Sequence, residues 1–403
     1  TSLSNILGIF SDSSNLMSAT LPSGRAFLSC APYGDSIYCF GGVYSTGTGL
    51  IYLNEIVRYN VTSNTVTVMS ATLPSGRAYL SCVPYGDSIY CFGGYDGTNS
   101  LIEIIRYNVT NDSVTIMSAT LPTGIFELSC APYGDSIYCF GGTSGIYLNE
   151  IIRYNVTNDS ITVMSATLPT GRTALSCAPY GDSIYCFGGY DVANFLTEIV
   201  RYNVTSNTVT VMSATLPSGR AYLSCVPYGD SIYCFGGYNG NFLTEIVRYN
   251  VTNDSVTIMS ATLPSGRLGL SCAPYGDSIY CFGGTGEGDT YFNEIVRYAK
   301  KYTSPEPTIT IGNEEVIIIL FALQTHISKI TKNLIALRGF KALHIDFLKL
   351  TKSITFKEFK ALHIDISKFS RNIVALRGFK ASQIDISKFS RNIVALRGFK
   401  VLE

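Results

Sequence analysis

An all-β ring of six four-stranded sheets is the fold that the sequence predicts, and three observations predict it. A phrase close to MSATLPSGRAYLSCVPYGDSIYCFGG starts at Met17, Met69, Met117, Met164, Met212 and Met259, in steps of 52, 48, 47, 48 and 47 residues, a period typical of arrays of small sheets. Each copy divides into four short β-rich runs with turn residues between them. No stretch before residue 300 carries the apolar period of a helix. One four-stranded sheet leaves a face bare, so six packed radially on one another give a six-bladed β-propeller.

The second copy shows the elements in order: RAYLSCVPY, SIYCFGG, LIEIIRYN and SVTIMSATLP. Gly-Asp separates the first two runs, a variable Gly-rich stretch the next two, and an Asn-rich turn the last two. The sixth copy holds three strands, residues 267–298, and then runs into Ala-Lys-Lys, whereas residues 13–21 form an orphan fourth strand at the other end. That N-terminal strand is expected to complete blade six, pairing the edges that an open ring would expose. The propeller is thus expected over residues 1–298 and a separate tail over 299–403.

Six copies of a double glycine (Gly41-Gly42 in the first) and of a tyrosine ending the third strand (Tyr59, Tyr107, Tyr154, Tyr202, Tyr249 and Tyr298), with an arginine opening the first strand in five of the six, follow in fixed order. In these features residues 12–298 resemble the kelch-repeat family. Kelch units usually carry Trp seven residues after the tyrosine; here the position holds Val66, Val114, Ile161, Val209 and Val256. Blade packing there must rely on smaller β-branched side chains.

All twelve cysteines fall in the propeller as pairs nine apart: Cys30 with Cys39, Cys82 with Cys91, Cys130 with Cys139, Cys177 with Cys186, Cys225 with Cys234, and Cys272 with Cys281. With Gly34-Asp35 as a two-residue hairpin turn, Cys30 faces Cys39 in a non-hydrogen-bonded pair, where Cα atoms lie about 4.5 Å apart, within a disulfide's reach. Pro32 falls in the same class, so its missing N–H points away from the second strand. One disulfide per blade is expected; the alternative is small buried thiols. A metal site is not expected, because the propeller has no His and the pairs have no third ligand. Paired cysteines suit an oxidising compartment. Eight N-x-S/T acceptors agree, at Asn60, Asn108, Asn155, Asn203 and Asn250 in NVT and at Asn111, Asn158 and Asn253 in NDS. Secretion or surface display is expected, and the absence of an initiating Met or signal peptide at Thr1 suggests a processed or partial chain.

Alternating strand direction puts the Gly-Asp and Asn-rich turns on one face and the variable loops on the other. Loops on a rigid scaffold usually carry binding specificity. Candidate contacts there are the aromatics Tyr44, Tyr52, Tyr95, Tyr147, Tyr190, Phe195, Tyr238, Phe242, Tyr291 and Phe292. Arg25, Arg77, Arg172, Arg220 and Arg267 stand near the channel mouth, with Ile125 in the third copy. They either bind an anionic partner or pair within and between blades. Glu55 and its copies precede Arg58 and its copies by three residues, on the opposite strand face, so their pairing must be with neighbouring strands.

Catalysis is not expected. The kelch resemblance includes copper oxidases similar to galactose oxidase, but His326, His344 and His363 all lie in the tail. No G-x-S-x-G elbow is present. The acids that break the repeat, Glu127, Glu287 and Asp289, have no evident partner in sequence. No cofactor is expected.

Overall neutrality hides two halves. Residues 1–298 carry 11 Lys+Arg against 21 Asp+Glu, a balance of −10, and residues 299–403 carry 18 against 8, or +10. The tail repeats DISKFSRNIVALRGFK and lacks Cys and, after Tyr302, Tyr. It reads as amphipathic helix over residues 314–350, suited to a membrane surface or an acidic partner, or as low-complexity sequence without a settled fold. Its apolar run is too short to span a bilayer. Together these readings predict a non-enzymatic scaffold that binds a protein or glycan, with no nucleic-acid partner. The alternatives are a component of an extracellular coat or fibril and a kelch-type enzyme; the oligomeric state stays open.

Overall fold

The computed structural model describes residues 9–303 and, beyond them, eight strand segments between residues 335 and 401. Each copy folds into a four-stranded antiparallel sheet. The first blade comprises Ser29–Tyr33, Ser36–Phe40, Glu55–Asn60 and Thr65–Thr72. Innermost strands of successive blades touch in chain order, and the first also touches the sixth, so the ring is closed. The second strand, Ser-Ile-Tyr-Cys-Phe, is buried along its whole length because both its faces meet neighbouring blades, whereas the outermost strand is largely exposed. Tyr38, Phe40 and Ile56 of blade one pack with Leu80, Ile89 and Tyr107 of blade two. Phe40 and its five counterparts are fully buried, each contributing roughly 1.5–3 kcal/mol through area removed from water. Val66, Val114, Ile161, Val209 and Val256, at the tryptophan position, pack against the edges of these cores.

The predicted hairpin register holds. Cys30 lies opposite Cys39 and Pro32 opposite Ile37. All six expected disulfides are present: Cys30 is bonded to Cys39, Cys82 to Cys91, Cys130 to Cys139, Cys177 to Cys186, Cys225 to Cys234, and Cys272 to Cys281, each with Cα atoms 4.0 Å apart. The spacing is a little tighter than the expected 4.5 Å, and among the described residues no cysteine is left as a thiol. The backbone N–H of the first cysteine points away from its own hairpin and donates to a serine of the preceding blade. Cys82 N–H reaches Ser29 Oγ at 2.8 Å, and Cys30 N–H closes the circle on Ser271 Oγ at 2.8 Å. The double glycine sits at the blade junction. Gly41 has φ +60, and a Cβ there would collide with the Arg77 carbonyl oxygen of the next blade.

The family tyrosine ties the outer rim. Tyr107 OH donates to Asp112 Oδ1 at 3.0 Å, and Asp112 Oδ2 accepts Ser70 N–H of blade one at 3.0 Å. The closing strand runs from Ile9 to Thr20 and pairs antiparallel with Glu294–Thr303, placing Ser14 opposite Tyr298. This clasp starts earlier than residue 13. It also supplies Asp12, whose Oδ2 accepts Ser260 N–H at 3.0 Å and so takes the place of the missing turn aspartate.

In the tail the described residues form two sheets of four parallel strands. Lys341, Lys360, Lys380 and Lys400 stand in register, one per repeat. Within the stretch expected to be helical, Ile335–Arg338 and Lys341–Asp346 are extended backbone. The rest of the expected helix, residues 314–334, 339–340 and 347–350, lies outside the described residues. Among the described residues no helix is long and apolar enough to cross a membrane.

Candidate functional site

One face of the propeller is locked by its own turns. Arg58 Nη2 donates to Asp35 Oδ1 at 3.2 Å, and Asn60 Nδ2 donates to Asp35 Oδ2 at 2.7 Å. Hydrogen bonds from Ser36 and Asn60, with the Arg58 guanidinium, hold the Asp35 carboxyl below the usual range. Counterparts of this Arg–Asp contact recur in the other five blades. The variable loops emerge on the opposite face.

On that face the five channel-mouth arginines are buried rather than presented. Arg25 Nη2 donates to Ser23 Oγ at 2.9 Å and to Glu55 Oε2 at 2.8 Å. Arg77, Arg172, Arg220 and Arg267 make the same ion pair with Glu103, Glu198, Glu245 and Glu294, each at 2.6 Å. Their side chains are 1% exposed, so none is open to an anion at the mouth. Ile125 fills the corresponding place in the third copy, fully buried, and among the described residues Glu150 has no ion pair.

Two residues after each of these positions the chain turns into the left-handed region. Phe27, Tyr79, Glu127, Ala174, Tyr222 and Gly269 have φ between +55 and +65, a conformation that disfavours side chains other than Gly. A closed circuit of backbone hydrogen bonds holds them there. Each N–H donates to the carbonyl of the preceding copy, from Tyr79 N to Phe27 O at 2.9 Å round to Phe27 N to Gly269 O at 2.7 Å. The six residues rim the channel mouth, and Leu28 and its five counterparts form an apolar layer next to them around a cavity of about 90 Å³.

The rim is asymmetric. Phe27 stacks on Tyr79 with ring centroids 4.2 Å apart and meets Tyr222 edge-on at 5.4 Å. Glu127 and Ala174 stand where three other copies carry rings, and beside them opens a cleft of about 1300 Å³ over blades three to five. Its walls include Phe126, Tyr147, Tyr190, Phe195, Tyr222 and Tyr238. Tyr190 packs on Phe195 at 5.2 Å, and Phe195 on Tyr238 at 5.7 Å. Glu127 is a partly buried carboxylate in this wall. Its Oε2 accepts Thr173 Oγ1 at 2.6 Å, and its Oε1 accepts Tyr222 OH at 2.9 Å. Desolvation pushes its carboxyl above the usual range, and the two hydrogen bonds offset part of that. Glu127 therefore has partners that its sequence position did not reveal. Glu287 and Asp289 are exposed on the blade-six loop and do not line the cleft.

The candidate aromatics are all partly buried. Tyr190 and Tyr238 line the cleft, with Phe242 packed behind Tyr238 at 5.2 Å. Tyr95 is outside the lining and packs between Tyr52 and the cleft-wall residue Phe126. Tyr44 lies in a short hairpin opposite Ile51, and Tyr291 lies opposite Thr285. Sequence reasoning missed Thr173, Tyr222 and Phe126. The signal was present: the second position after the arginine reads Phe, Tyr, Glu, Ala, Tyr, Gly across the copies and is the least constant of the phrase. Among the described residues no three His, Cys, Asp or Glu side chains converge to hold a metal ion.

A closed propeller whose variable loops share one face is an architecture typical of binding scaffolds. The model of the KLHDC2/KLHL20/DRC7 Kelch-repeats domain matches residues 12–165 and 116–284, and the chain belongs to the kelch-repeat propeller family. Kelch propellers are generally non-enzymatic and typically bind proteins. A search of curated proteins finds no match to the chain.

Proposed function

We propose that the protein is a non-enzymatic scaffold, secreted or displayed at a cell surface, that captures a protein partner in the cleft of its variable-loop face. One observation carries this reading. The copies depart from their common phrase at Glu127, Thr173 and Ala174, and these residues are neighbours at a single aromatic-walled cleft and the rim beside it. Partly buried rings with polar tips give rigid contact area at low entropic cost. The family's habit of binding proteins favours a protein over a glycan. Six disulfides support an oxidising compartment.

Selection of displayed peptides, run beside a glycan array on the disulfide-intact protein, tests the reading. Peptide ligands are expected, and Tyr190→Ala or Tyr238→Ala should weaken their capture by about tenfold or more, as loss of a central aromatic contact does, with melting unchanged. Capture that ignores both substitutions would reject the cleft. A coat or fibril component would instead show ordered self-association by electron microscopy, indifferent to the same variants.

A further inference from the structure

The propeller's cations are already spoken for. Every one of its 11 arginines is in an ion pair within the propeller, and it has no lysine before Lys300. Its acids are in excess. On the variable-loop face Asp96, Glu127, Glu150, Asp191, Glu287 and Asp289 have no ion pair among the described residues. The cleft concentrates this imbalance, with Glu127 and Asp191 on its walls, no Lys, Arg or His, and six aromatic rings.

The chemistry of Glu127 is unfinished in a specific way. A carboxylate offers about four lone-pair directions, and Glu127 uses one on each oxygen, for Thr173 and Tyr222. Both donors are neutral hydroxyls, so its charge is left without a counter-charge in a partly desolvated wall. Uncompensated charge in such a place is unfavourable. The faces of Tyr and Phe rings attract cations, more strongly when water is excluded. An anionic guest would meet repulsion from both carboxylates, and a neutral guest would leave Glu127 uncompensated.

We infer that the cleft receives an arginine or lysine side chain of a basic peptide segment, its charge against Glu127 and its stem among the Tyr190, Phe195 and Tyr238 rings. This inference rests on the cleft being the partner site and adds the partner's chemistry. A guanidinium suits the place best, because its planar fork can bond a carboxylate while stacking on an aromatic face.

Peptide pools test it, each with random flanks and one fixed central residue, arginine, lysine, citrulline or glutamate, against the disulfide-intact full chain. The arginine pool is expected to bind about tenfold tighter than the citrulline pool, which keeps shape and loses charge, with lysine between them and glutamate weakest. Glu127→Gln should bring arginine and citrulline within about twofold of each other, and Asp191→Asn should narrow the gap less, because Asp191 already accepts two backbone N–H groups. Should Glu127→Gln alter melting sharply, Thr173→Ala is the second variant: it frees a lone pair on the same carboxylate and should keep or sharpen the arginine preference. Equal binding of arginine and citrulline by the wild type, or a preference that survives Glu127→Gln, overturns the inference. So does absence of binding by the arginine and lysine pools. If pools bind without charge preference but lose binding on Tyr190→Ala, the cleft stands and only its chemistry is wrong; if Tyr190→Ala leaves every pool bound, the cleft itself is not the site.

Discussion

The Tyr222 hydroxyl donates to Glu127 Oε1 at 2.9 Å across 95 residues of sequence, yet burial still pushes the Glu127 carboxyl up. Between the ordinary carboxyl range and the raised value, the native state therefore holds a proton that the unfolded chain has already released. Stability contributed by the neutral acid is present below the ordinary carboxyl range and is lost as pH rises through the raised value. Tyr79 and Tyr222, whose phenols interact electrostatically with this carboxyl, are pushed further up by burial and stay protonated in that window. Glu127→Gln is expected to melt higher than wild type near about pH 8 and level with it near about pH 4. Melting curves across pH check this, and a difference independent of pH would contradict it.

Arg220 and Glu245 form a pair with one end buried and one end wet, the side chains being 1% and 35% exposed. Breaking a fully buried pair typically destabilises by about 3–5 kcal/mol. Water can reach Glu245, so Arg220→Ile, which copies the third blade, should cost about 2 kcal/mol. Adding Glu245→Gln should restore part of the loss. Urea titrations of the two variants measure both effects, and a neutral Arg220→Ile would mean that the pair adds nothing to stability.

Why the ring and the hairpin register were legible, while the site was not, follows from the range of the forces involved. Gly34-Asp35 fixes the pairing of Cys30 with Cys39 through local turn geometry alone, and the same turn repeats the instruction down to Cys272 with Cys281 in the sixth blade. The arginines were open to two readings because the partner of Arg77, Glu103, is 26 residues away across a loop. Sequence spacing could exclude Glu55 pairing with Arg58 but could not choose Arg25 in its place. The rim escaped notice for another reason. Positive φ at Phe27, Tyr79 and Tyr222 runs against residue preference and is held by the inter-blade hydrogen-bond circuit, which exists only once the ring is closed. In the tail, apolar density suggested helix, whereas the like-on-like register of Lys341, Lys360 and Lys380 comes from the repeat.

Each disulfide joins two strands of one hairpin at a sequence separation of 9. Closing so short a loop in the unfolded chain contributes roughly 2–3 kcal/mol in the chain-entropy account. Replacing Cys130 and Cys139 together by alanine should lower the unfolding free energy by about that much while leaving the fold intact, because the Cys130 N–H bond to Ser81 Oγ uses backbone and survives. Denaturant midpoints under non-reducing conditions give the answer. A double variant as stable as wild type would show that the bridge is energetically idle, and reductant should affect the wild type more than it affects the variant.

The eight sequons divide into two structural kinds. In Asn60, Asn108, Asn155, Asn203 and Asn250 the side chain is partly buried, and its Nδ2 donates to the Asp of the neighbouring turn, as from Asn108 to Asp87 at 3.1 Å. A glycan on that nitrogen would remove the bond and crowd the turn. Asn111, Asn158 and Asn253 are exposed, and each Oδ1 accepts the sequon serine hydroxyl, from Ser113 at 2.6 Å, Ser160 at 2.8 Å and Ser255 at 2.6 Å. When the chain is passed through a secretory pathway, the folded fraction should carry glycan at these three sites and little at the other five. Glycopeptide mass spectrometry of the folded, non-reduced material reads occupancy site by site. Dominant occupancy at Asn60 or Asn203 would overturn the ordering. Asn111→Gln should then remove one glycan and leave the unfolding free energy within about 0.5 kcal/mol of the parent, as expected for an exposed turn position.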